Sequence, residues 1–451
     1  MPYLFLLVIP LLFCLVLVLR AVACESPHVR LMPMQRAEDV PALTDGARDD
    51  AAPAFASEEK QTLLSCAARY SPDAMESFLA VSYPRIAARS RVQNISHSYL
   101  IRLKNAAPDA PSILCTALTG AQDVLLRRQS DMPLFSDGGA QDGAGRAVGI
   151  LDALENLLSH GALFRANVCV LLAADESELA VVAEALKQNG ESFVCALCEG
   201  GRIAPFGHNK NNRIAAVGVG VRAGAHFTLR ACCNAENADA PGAASLIARA
   251  ALRVEQKPFG ELPGPSARRF ARSALYENGF FSRIAAVNTS LFPFFIRRKI
   301  RKYGGRAAAC TTARIESVAC RTNGDVCEAE ATLCCVLLPE TDVYDLERRV
   351  RRRIHDDRIN LVLSGFDGEP VLSDENGFGY RAVQKAVALS FDRTNAAPVV
   401  LYHAPAARAL STLCSETIAF SACGEGLAPD AQRIFFENFF LQLCGNDAMH
   451  S

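Results

Sequence analysis

The 451-residue sequence has almost no net charge: 47 lysines and arginines against 48 aspartates and glutamates leave −1 with histidine neutral. That excludes a global electrostatic pull toward nucleic acid or an anionic surface. No internal repeat is seen. The 17 cysteines are odd in number and lack any zinc-finger spacing. Such a density of thiols argues against a strongly oxidising compartment. Histidine is sparse, at 8 residues: 28, 97, 160, 208, 226, 355, 403 and 450.

What is present is apolar material. Hydrophobic residues make up 50% of the chain, enough for a sizeable core, and the length suits two or three domains. Two basic clusters, Arg297 to Lys302 and Arg348 to Arg353, stand out. The second falls on an amphipathic helix and reads as a solvated face. The adjacent pairs Cys232-Cys233 and Cys334-Cys335 lie in apolar runs and read as small core fillers. Cys195 and Cys198 form an isolated C-x-x-C.

Residues 2–19 are almost all apolar and would span roughly 27 Å as a helix, close to bilayer thickness. With Arg20 behind them and Ala21-Val22-Ala23 before Cys24, they read as a signal peptide or membrane anchor (residues 1–23). A lipoprotein attachment through Cys24 is the variant of that reading. The expectation is membrane association with an exported, extracytoplasmic body. Residues 24–56, rich in Ala, Asp and Pro, read as a linker.

From Ser57 onward helices and strands alternate. SILCTAL, NVCVLLAA and FVCALCEGG are strands, separated by the helices VGILDALENLLSHG and ELAVVAEALKQNG. Buried strands alternating with helices predict an α/β domain with a mainly parallel sheet, residues 57–221 and 366–451. Between them, residues 222–365 read strand-helix-strand-strand-helix-strand, a split βαβ insert. An aromatic and basic stretch, residues 262–305, interrupts the insert, and the chain closes on the apolar helix AQRIFFENFFLQL.

The order of PSILCTALTGAQDV, PLFSDGGAQD, LLAADESE, ALCEGG and ACTTARIES leading to LLPETD resembles the co-catalytic zinc metallopeptidases that include aminoacylase, carnosinase and glutamate carboxypeptidase. The likeness is strongest to the carboxypeptidase S branch. It implies a large domain that holds two zinc ions and a smaller lid and dimerisation domain. It also implies hydrolysis of peptides or N-acyl amino acids, in which the metals activate a shared water and a glutamate takes its proton.

Residue by residue, the resemblance shows a depleted site. A zinc histidine would fall at Ala121, with its orienting carboxylate at Asp123. The bridging carboxylate matches Asp142. Glu176 takes the general-base position, and Ser177 stands where a ligand glutamate would be. Glu199 matches another ligand, and the last zinc histidine falls at Cys423. The lid histidine falls at Asn237 and a lid arginine at Val336. No histidine occupies a position where the family keeps a zinc ligand. Asp142, Glu199 and Cys423 could form at most one weak mixed metal site, since zinc accepts thiolate. Two readings follow. One is a membrane-associated, catalytically impaired homologue that binds a peptide or N-acyl amino acid, or forms a homodimer through its lid. The other is an active hydrolase with an altered metal set. Nucleic acid is not expected as a partner.

Overall fold

The computed structural model describes residues 2–23, 57–103, 110–119, 143–206, 213–234, 242–257, 259, 264–275, 279–323, 326–402, 404–424 and 427–444. In chain order its strands are β1 (Ser90–Ile95), β2 (Ser98–Leu103), β3 (Ser112–Leu118), β4 (Asn167–Ala173), β5 (Phe193–Cys198), β6 (Arg202–Pro205), β7 (Arg213–Val221), β8 (Ala223–Asn234), β9 (Thr312–Asn323), β10 (Val326–Leu337), β11 (Asn360–Phe366), β12 (Val371–Leu372), β13 (Thr394–Leu401) and β14 (Cys414–Ala419). The chain divides into two compact units. The larger is Met1–Gly220 with Arg269–Asn288 and Leu372–Ser451, and the smaller is Val221–Arg268 with Thr289–Val371.

In the larger unit the sheet order is β1-β2-β4-β3-β5-β14-β7-β12, with β13 and β6 also paired to β7. β4, β3, β5 and β14 run parallel to one another, whereas β1 with β2, β2 with β4, β14 with β7 and β6 with β7 are antiparallel. The sheet is therefore mixed rather than mainly parallel. The reason at one edge is the connection length. β1 and β2 are joined through Ser96 and His97, with Ile95 opposite Ser98. A two-residue link closes a hairpin and cannot make a parallel crossover. β3 and β4 are buried along nearly their whole length, as parallel strands covered on both faces must be. The helix Gly143–Ser159 joins them and buries Ile150, Leu151, Leu154 and Leu158. That spacing gives one apolar stripe. The stripe continues the core into the C-terminal helix Ala431–Cys444, whose Phe435, Phe436, Phe439 and Phe440 are fully buried.

The smaller unit holds the antiparallel sheet β11-β8-β10-β9. With the helices Ala243–Gln256 and Val343–Ile354 it makes the split βαβ arrangement. Alternation along the strands sets its two faces. Ala225, Phe227, Leu229 and Ala231 of β8 pack with Ala329, Ala331, Leu333, Cys335 and Leu337 of β10 in the core. Cys335 is a core filler and Cys233, half-buried, packs against the same core, whereas Cys232 is exposed and Cys334 faces the other way and is half-buried. The arginine cluster on Val343–Ile354 pairs along its own helix, Arg348 with Asp345 and Arg351 with Glu347.

The expectation of a membrane anchor does not hold. Pro2–Ala23 is helical, but among the described residues no helix is long and apolar enough to cross a membrane. Leu17 and Ala21, one turn apart, are buried, and the Leu17 carbonyl accepts the Asn288 side-chain N–H at 3.5 Å. The helix thus packs on the body at Leu17 and Ala21, beside the helix Phe280–Val287. The membrane partner, the membrane-associated function and the anchored or exported location are withdrawn with it. Cys24, the candidate lipid-attachment residue, lies outside the described residues.

Candidate functional site

In an open α/β sheet ligands gather beyond the carboxyl ends of the parallel strands. Three of the sequence-selected residues stand at such ends. Glu176 begins the helix after β4, Glu199 follows β5, and Cys423 follows β14. Ala121, Asp123, Asp142 and the lid position Asn237 lie outside the described residues, as does His403. Val336 is on β10 of the smaller unit.

Glu199 is buried, and its Oε1 accepts the backbone N–H of Leu118 at 2.7 Å. Leu118 is the last residue of β3, so the carboxylate ties one strand end to the next. The turn that follows is fixed by sterics. Gly201 has φ +60, and a Cβ there would lie 2.1 Å from the Ala216 carbonyl oxygen. Only glycine fits such a position without distortion.

Beside Glu199 stands Arg146, a fully buried residue of the helix Gly143–Ser159. Its Nε donates to the Thr116 carbonyl at 2.8 Å, Nη1 to the Phe420 carbonyl at 2.6 Å, and Nη2 to the Leu197 carbonyl at 3.2 Å. Its guanidinium carbon lies 5.1 Å from the Phe436 ring centre. One side chain therefore joins the ends of β3, β5 and β14. Burial pushes the guanidinium below the usual arginine range, while Glu199, then Cys115, Cys198 and Cys423, pull it back up. Arginine nevertheless stays charged in proteins. Sequence reading passed over Arg146; its one signal is a charge inside the apolar stripe RAVGILDALENLL.

The remaining groups are engaged as structure. Asp175 caps the helix Glu176–Gln188: its Oδ1 accepts Ser177 N–H at 2.8 Å, Ser177 O–H at 2.6 Å and Glu178 N–H at 3.0 Å. Ser177 thus bonds its own cap. Glu176, half-buried, lies in that first turn. A carboxylate there is favoured by the helix dipole. Both thiols of the C-x-x-C motif are buried. Burial holds Cys195 well above the usual thiol value and pushes Cys198 up to about 12.

Among the described residues, these strand-end groups do not make up a zinc pair. Each zinc wants about four nitrogen, oxygen or sulfur donors. Here Glu199 already takes a backbone N–H and faces a fixed cation, and Ser177 is committed to Asp175. Among the described residues, the group of metal-ligand side chains that does converge is in the smaller unit. His226, Glu316 and Cys334 bring one ligand atom each within 4.8 Å of one another. It is an incomplete, three-residue cluster, and sequence reading had not singled it out.

The fold has broad structural likeness to that of M20-type peptidases and amidases, at low identity. A metallo-carboxypeptidase of the M20 family from Sulfolobus solfataricus is 13% identical, with 86% of this chain and 98% of that chain covered and a TM-score of 0.51. A hydantoinase/carbamoylase family amidase from Burkholderia ambifaria is 13% identical over 86% and 96% of the two chains, with a TM-score of 0.50. A tripeptidase from Staphylococcus aureus is 9% identical over 86% and 98%, with a TM-score of 0.50. No family model matches the sequence, and no curated protein does.

Proposed function

We propose that this chain keeps the scaffold of the M20-type amide hydrolases without their paired-metal hydrolysis. The observation that carries the reading is the Glu199 carboxylate, satisfied by the Leu118 N–H and set beside the buried Arg146 guanidinium. A protein cation and a backbone donor there provide the compensation that a metal ion would otherwise supply. The motif likeness to the carboxypeptidase S branch belongs to this proposal. In that branch's chemistry the metals bring a water's pKa from about 16 to about 7. Glu176 alone does not cover that gap.

The test is a panel of dipeptides and N-acyl amino acids assayed with and without added zinc. The expected result is no turnover above buffer. A chelator-sensitive amidase activity that disappears in Glu176→Gln, with folding intact, overturns the reading.

A further inference from the structure

We propose that the smaller unit carries a zinc-class metal site of its own, with His226, Glu316 and Cys334 as ligands and Asp367 orienting the imidazole. The three ligands come from neighbouring strands on the face of the sheet opposite its core. His226 of β8 and Cys334 of β10 are direct partners across the ladder. Glu316 is contributed by β9, on the other side of β10.

Both flanking ladders are broken at this spot. Along β9, partners step from Ser317, opposite Thr332, to Ile315, opposite Leu333, so Glu316 is an extra residue without a strand partner. Along β11, partners step from Leu363, opposite Phe227, to Gly365, opposite His226, so Ser364 is extra. Its hydroxyl donates to the His226 carbonyl at 3.1 Å. Bulges cost ladder bonds and re-aim side chains, and they concentrate next to functional sites. Two of them flanking the paired strands that carry His226 and Cys334 is the independent observation beyond the cluster itself.

The imidazole lies between two carboxylates. Its Nδ1 lies 3.1 Å from Glu316 Oε2, and its Nε2 lies 3.6 Å from Asp367 Oδ1. A metal-bound histidine ordinarily gives its other ring N–H to a carboxylate, which fixes the tautomer. Asp367 stands in that role. Its backbone N–H donates to the Gly224 carbonyl at 2.9 Å. Glycine at 224 makes room for its carboxylate, since a Cβ there would lie 2.0 Å from Asp367 Oδ2.

The donor set selects the ion. One nitrogen, one carboxylate oxygen and one sulfur suit borderline ions such as zinc, whereas magnesium and calcium prefer oxygen alone. Three protein ligands leave a coordination position for water or an outside group.

The proposal concerns a different unit from the proposed loss of hydrolysis and stands independently of it. The test uses the full chain, stripped with chelator and titrated with zinc chloride by calorimetry, and with cobalt(II) by absorption. The expected result is one ion per chain and a sulfur-to-cobalt charge-transfer band. Cys334→Ser should abolish the band. His226→Gln should weaken binding more than tenfold, and Asp367→Asn should weaken it by roughly 10–100-fold, as for carboxylates that orient a ligand histidine. Glu199→Gln should leave the titration unchanged. Absence of stoichiometric zinc, or a cobalt spectrum that Cys334→Ser does not change, overturns the site. Zinc that persists in Cys334→Ser but is lost in Glu199→Gln overturns it too, and restores a metal centre to the larger unit.

Discussion

The Glu199 carboxylate receives the Leu118 N–H at 2.7 Å, and this bond couples the residue just after β5 to the last residue of β3 on the neighbouring strand. Glu199→Ala leaves that N–H without its buried acceptor. The expected loss is about 1–3 kcal/mol, the scale for a buried donor left unpaired. Glu199→Gln keeps an acceptor for Leu118 and removes only the charge, so its cost should be the smaller of the two. Urea unfolding in the presence of chelator measures both. Equal stability of the wild type and Glu199→Gln would show that the carboxylate charge contributes nothing to the fold.

Arg146 should be among the least replaceable residues of the larger unit. Arg146→Met approximates its stem but orphans the Thr116, Leu197 and Phe420 carbonyls. At about 1–3 kcal/mol for each buried acceptor left unpaired, the loss is comparable to the whole stability of a typical domain. Arg146→Lys should rescue little, because an ammonium cannot present the planar fork that reaches three strands. Soluble yield, followed by thermal unfolding of whatever folds, checks this. An Arg146→Lys protein melting within a few degrees of wild type would overturn it.

The cap at Asp175 gives a pH dependence with a definite sign. The Ser177 hydroxyl bond, then the Glu178 and Ser177 backbone bonds, hold the Asp175 carboxyl below its ordinary value. A depressed folded-state pKa adds stability that is present above the unfolded value, about 3.9, and is lost as pH falls through the lower folded value. Asp175→Ala should cost about 1 kcal/mol at neutral pH. Asp175→Asn keeps the capping oxygen and should lose the titration rather than the cap. The difference in stability between wild type and Asp175→Asn, followed from pH 6 down into the acid range, should shrink. A constant difference would exclude the cap as its source.

Gly201→Ala combines a left-handed backbone with a clash at a carbonyl that cannot rotate away. We expect a loss of at least about 2 kcal/mol, seen as a lowered urea midpoint with unchanged slope. An unaltered midpoint would mean that the turn between β5 and β6 has another accessible conformation.

The alternation of apolar runs and helices made the elements of both units legible, because 3.6-residue and two-residue periods are printed directly in sequence. The mixed character of the large sheet was not, since strand order depends on which edges meet. β14 comes last in the chain yet lies between β5 and β7. The N-terminal run gave its helix and misled about its setting, because an apolar stripe that packs on protein reads like one that faces lipid. Glu199 was legible as a candidate, and it stands just beyond β5. Arg146 and the His226, Glu316 and Cys334 group were not legible, since each depends on long-range convergence. Glu316 and Cys334 also depend on a bulge that leaves no mark in composition.

The placement of β14 governs how the chain must be made. Residues 414–419 fill the slot between two strands that are synthesised some two hundred positions earlier, pairing with β5 along their length and touching β7 at Ala419 and Gly218. Until that late segment emerges from the ribosome, two buried strands carry open edges and Arg146 has no Phe420 carbonyl to grip. Open edges of this kind invite wrong pairing. A chain released early, for instance by a stop codon before residue 414, should be an aggregating fragment and a client of chaperones rather than a smaller working protein.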